Sequence, residues 1–99
     1  MSDNNIQELP IPKAVANEER SIELVRVWAA GGKQHISVAT SLWEDPATWG
    51  IMLVDLAKLI ANAYQETAGM DRSAALASIK KGFDIEWGSP TDEPTGGIE

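Results

Sequence analysis

Residues 21–39, SIELVRVWAAGGKQHISVA, decide the fold: two runs rich in β-branched residues flank Gly31-Gly32. A two-residue hairpin loop needs positive φ at both central positions, which glycine adopts without steric cost. Counting outward from the loop pairs Ala30 with Lys33, Trp28 with His35, Val27 with Ile36, Arg26 with Ser37 and Val25 with Val38. One face then carries Val25, Val27, Ala29, Ile36 and Val38 and is expected to be the core face. The other carries Leu24, Arg26, Trp28, His35 and Ser37.

Downstream, Asp45-Pro46 marks a helix start. A carboxylate there accepts from the free N–H groups of the first turn, and proline loses nothing at the first helical position. The polar residues Asp55, Lys58, Asn62 and Gln65 follow at helical spacing and leave a broad apolar arc through Met52, Leu53, Leu56, Leu59, Ile60 and Ala63. That arc is wider than one contact requires, so the helix is expected to pack on the hairpin with one flank and on a second helix or another subunit with the other. Gly69 supplies a C-terminal stop and Asp71 a cap for the next helix. The apolar residues of that helix, Leu76, Ile79, Phe83 and Trp87, advance by three, four and four. Phe83, Ile85 and Trp87 also alternate as a short strand would; helix is preferred because Leu76 and Ile79 extend the same stripe.

These elements predict a small two-layer α+β domain over residues 21–88, in which an antiparallel hairpin packs against two helices in the order β-β-α-α. Residues 1–20, with Pro10 and Pro12, read as an extended or mobile arm that Leu9, Ile11 and Val15 can pin to an apolar surface. Residues 89–99, with two prolines, two glycines and three acidic residues, the terminal glutamate included, read as a flexible acidic tail. A two-stranded sheet is marginal in water. A third strand is therefore expected from the arm near Leu9, from Phe83–Trp87, or from a second chain in a homodimer.

Composition narrows the function classes. Eight basic residues against fifteen acidic ones give a net charge of −7, and the basic residues do not cluster, so nucleic acid is not an expected partner. The longest apolar segment, Trp49 to Tyr64, is broken by Asp55, Lys58 and Asn62, which argues against a membrane span. The start MSDNNIQELPIPK lacks the basic and apolar runs of a secretory signal and there is no cysteine, so a cytoplasmic location is expected. With disulfides excluded, a domain of 99 residues looks to self-association for extra support.

Chemistry is sparse. His35, the single histidine, stands across from Trp28 with Arg26 and Ser37 on the same face. Histidine suits general-base work near neutrality, yet no acid is placed to orient it, and an aromatic–imidazole cross-strand pair accounts for the same residues. Glu44, Asp45, Asp84, Glu86, Asp92 and Glu93 lack the spacing of a calcium loop, so no metal is expected. Neither a glycine-rich phosphate loop nor a nucleophile elbow occurs, and no catalytic residue or cofactor is assigned. Of four tryptophans, Trp49 and Trp87 are expected mainly in the core and Trp43 partly exposed. The reading is a non-enzymatic interaction or adaptor protein with Arg26, Trp28, His35, Ser37 and Trp43 as its surface. The alternative is an anion-binding module or minor enzyme using the Arg26/Trp28/His35 face, closed by the Leu42 to Asp45 segment.

The phrases VRVWAAGGKQHISV (25–38), LWEDPATWGIMLVDLA (42–57) and FDIEWGSPTDEPTGG (83–97), in that order, resemble a family of short bacterial proteins catalogued as a domain of unknown function. The resemblance implies that hairpin, long helix and acidic tail form one unit, and it carries no activity or site residues.

Overall fold

The computed structural model describes residues 6–89 and the backbone of Thr95–Ile98. The elements run α1 (Lys13–Ala16), β1 (Val25–Ala30), β2 (Lys33–Val38), α2 (Ala47–Ala68), α3 (Arg72–Gly88) and β3 (Thr95–Ile98). The chain is a small α+β domain, an antiparallel hairpin followed by two helices, and a third strand completes the sheet.

Gly31 and Gly32 sit at φ 61° and 76°, the left-handed region that the tight loop requires. The register they set is the one read from the sequence, from Ala30 opposite Lys33 to Val25 opposite Val38. The Ala39 N–H continues the ladder to the Leu24 carbonyl at 2.9 Å.

The third strand comes from none of the expected segments. Phe83–Trp87 is helical, and one turn of helix, α1, is the only regular element of the described arm residues. Instead β3 pairs parallel with β2, Ile36 opposite Gly96 and Val38 opposite Ile98. It lies inside the stretch read as a flexible tail. Its sequence, TGGI, hides it: two glycines give little strand propensity and no alternating face. Parallel neighbours need a long crossover, and α2 and α3 lie between the paired strands in sequence.

At the start of α2 the Asp45 Oδ1 accepts from the Ala47 N–H at 3.0 Å. At its end Gly69 turns left-handed at φ 69°. The Asp71 Oδ2 accepts from the Ala74 N–H at 3.1 Å and opens α3. Two further ties close the helical hairpin: the Arg72 N–H donates to Gln65 Oε1 at 3.0 Å, and the Arg72 side chain donates to Asn62 Oδ1. Where the helices meet stand Ala61 and Ala75, 0% and 3% exposed and the only buried side chains among the described residues. Small side chains there let the two backbones approach.

Among the described residues β1 lies against β2, β2 against β3 and α2 against α3, while neither helix lies close against a strand, so the expected cover of helix on hairpin is not seen there. The radius of gyration is 15.9 Å, against about 13 Å for a compact chain of this length. Local rules fix the hairpin and the helical pair separately.

Candidate interaction surface

On one sheet face, β1 and β2 bring together four of the five residues read as a site. Arg26 and Trp28 are two apart on β1, and Ser37 and His35 stand directly across from them on β2. The Arg26 guanidinium lies over the Trp28 ring at 5.6 Å from its centroid, within range of a cation–π contact. Arg26 is already matched by carboxylates. Its Nε donates to Glu23 Oε2 at 2.9 Å, and an η nitrogen lies 3.1 Å from Glu8 Oε2. Its pKa is raised above an already high ordinary value, first by the Glu23 hydrogen bond and then by the Glu23 charge, with Glu8 adding less. A guanidinium held this way offers little to a free anion. The His35 Nε2 lies 3.2 Å from the Ala30 carbonyl oxygen, an acceptor it reaches when that nitrogen carries the proton.

Glu8 and Glu23 complete this face, and the sequence reading passed over both. Glu23 had a local signal, three residues before Arg26. Glu8 had none, because it arrives on the arm: residues Gln7 to Pro12 run beside β1 and bound a shallow cleft with Glu23 and Val25 to Trp28.

Trp43 belongs elsewhere. It packs edge-to-face on Trp49 with ring centroids 4.7 Å apart, which joins the loop after the sheet to the first turn of α2. Both indoles are half-buried. Trp87, expected in the core, is 78% exposed and stacks on Phe83 one helical turn earlier, with centroids 5.5 Å apart. The physical cause is where the helix contact ends: α3 packs on α2 in its first half, where Ala75 is buried and Leu76 and Ile79 are half-buried, while Phe83, Ile85 and Trp87 in its last two turns are exposed.

The larger feature is apolar. Most of the α2 arc assigned to a core, Leu53, Leu56, Leu59 and Ile60, is solvent-facing, with Leu59 at 65%. At 100° per residue this stripe is turned well away from Ala61, which faces α3. On the sheet, Val27 is also open at 56% exposure, and Val25, Ile36 and Val38 on the same face are half-buried. Among the described residues no group of three or more His, Cys, Asp or Glu is arranged to hold a metal ion, and no helix is long and apolar enough to cross a membrane.

Comparison with known proteins gives a consistent placement. A family described as "Domain of unknown function (DUF5076)" matches residues 8–91. No curated protein matches the chain. A solved structure described as that of "a putative pyruvate dehydrogenase from the photosynthetic bacterium Rhodopseudomonas palustrus CGA009" is 31% identical, with a TM-score of 0.73, over 94% of this chain and 95% of that one. That description is of that protein; its similarity here extends over the sheet and both helices together.

Proposed function

We propose that this chain, which belongs to the DUF5076 family, is a non-catalytic protein-interaction module of the cytoplasm that works as a homodimer. The observation that carries the reading is the uncovered apolar surface of α2. Soluble chains keep such patches small unless another molecule covers them, and a stripe from Leu53 to Ala63 at helical spacing is the form in which helices present anchors. The stacked Phe83–Trp87 pair at the end of α3 adds large, rigid side chains of the kind that dominate binding energy.

The alternative, an anion pocket on the Arg26, Trp28, His35 and Ser37 face, has less support. Arg26 is engaged by Glu8 and Glu23, and the cleft beside it is shallow and edged by those carboxylates. Trp43 lies with Trp49, outside that face.

Native mass spectrometry of the untagged protein from its own cells separates the two. A whole number of chains, or a chain with a protein companion, agrees with the interaction reading. A single chain carrying a few hundred daltons of retained compound overturns it in favour of the pocket.

A further inference from the structure

The chain's two open apolar surfaces match each other in size and chemistry. From Leu53 to Ala63 the α2 stripe is about 15 Å long, and from Val25 to Ala29 the sheet face is about 13 Å. Neither carries a charge, although the chain as a whole stands at −7. A helical crossover between parallel strands ordinarily lies on the sheet it connects; among the described residues neither α2 nor α3 lies close against this one, and Val27 stays exposed beside half-buried Val25, Ile36 and Val38.

We infer that a second copy of this chain provides both covers, the α2 stripe of each copy lying across the Val25, Val27, Ile36 and Val38 face of the other. This rests on the interaction reading above and names its partner. Three observations lead to the exchange. First, the accessible surface is 8596 Å², against about 5,500 Å² for a compact monomer of this mass. Part of that excess of about 3,000 Å² belongs to the chain ends, and the rest suits the roughly 1,000–2,500 Å² that each partner buries in an obligate dimer. Second, the sheet edges are poor places for association: the arm with Pro10 and Pro12 runs beside the β1 edge, and the other edge is β3, a strand of 4 residues with two glycines, so association falls on the faces. Third, one two-fold axis satisfies both surfaces only if sheet meets helix. A helix-to-helix dimer leaves two sheets bare, and a sheet-to-sheet dimer leaves two α2 stripes bare.

The exchange predicts complementation between two broken chains. Val27→Asp spoils the sheet face and Leu59→Asp the helix face; both side chains are exposed in the single chain, so neither change places a charge in its own core. In sedimentation equilibrium the wild type is expected as a dimer at micromolar concentration. Each variant alone is expected to be monomeric, with association weakened by about 100-fold. An equimolar mixture is expected to regain dimer, because the mixed pair keeps one intact sheet-on-helix contact. If Leu59→Asp dissociates while Val27→Asp dimerises like the wild type, the exchange is overturned and the interaction reading stands. A compact wild-type monomer overturns both. Should either aspartate unfold the chain, the absence of native cysteine offers a second readout. Val27→Cys and Leu59→Cys chains, mixed and oxidised, are expected to form a mixed disulfide dimer in preference to either self-linked one; self-linking of the Leu59→Cys chain alone at an equal rate contradicts the exchange.

Discussion

The hairpin and the helical pair reach definition by opposite means. Two residues with positive φ, Gly31 and Gly32, fix every cross-strand pair of the hairpin, while none of its side chains is fully buried. Two small residues without conformational distinction, Ala61 and Ala75, are the buried side chains of the helical pair and let α2 and α3 lie close together. Backbone conformation specifies one and side-chain volume the other. Neither contains a core of its own, so both depend on what covers them, and a change aimed at one region tests how far they share a fate.

The largest effect is expected at the helix contact. Ala61→Leu forces a branched side chain into the crossing and should destabilise the helical pair by about 1–3 kcal/mol, read as a lower midpoint of helical far-UV circular dichroism. The sharper observation is whether Trp28, on the sheet, loses its native fluorescence at the same midpoint. Coincident midpoints mean that hairpin and helices melt as one body. In the Leu59→Asp chain, where the exchange is broken, the two midpoints are expected to separate.

Next in size is the turn. Gly32→Val places a β-branched side chain at φ 76° and should cost about 1–2 kcal/mol. Hydrogen exchange is expected to rise first at Val27 and Ile36 and to leave Leu76 and Ile79 protected. Equal loss of protection along α3 would mean that the hairpin has no separate identity. Removing a cap is smaller: Asp71→Ala strands the Ala74 N–H and should cost about 1 kcal/mol, lowering the α3 midpoint with little change in the hairpin. The smallest is Lys80→Ala, which removes the exposed pair with Asp84 one turn along α3 and should change stability by about 0.3–0.5 kcal/mol, vanishing in high salt.

What the sequence disclosed follows the same division. The glycine pair, the Asp45-Pro46 start, the Gly69 stop and the Asp71 cap are local signals, each acting through its own neighbours, and they placed β1, β2, α2 and α3 correctly. β3 escaped because TGGI resembles a tail and its partner, β2, lies almost sixty residues away. The apolar arc of α2 was legible as a pattern, but a pattern does not say whether its cover is this chain's own sheet or a second copy's. At the candidate surface, Arg26, Trp28, His35 and Ser37 followed from the register, whereas the Glu8 contact depends on where the arm runs. Trp87 was misplaced because helical spacing identifies a stripe without showing where along α3 the contact with α2 ends.

The exchange makes the apolar sheet face around Val27 and the α2 stripe around Leu59 two halves of an interface between two chains. Small-angle scattering of the wild type through a dilution series from high to low micromolar concentration tests it most directly. The expected result is a particle of twice the 10.7 kDa chain mass at the upper end, with its mass falling towards one chain on dilution. A particle of one chain mass at every concentration, with a radius of gyration near the 13 Å of a compact chain, would mean that the helices fold onto their own sheet, and would contradict the account.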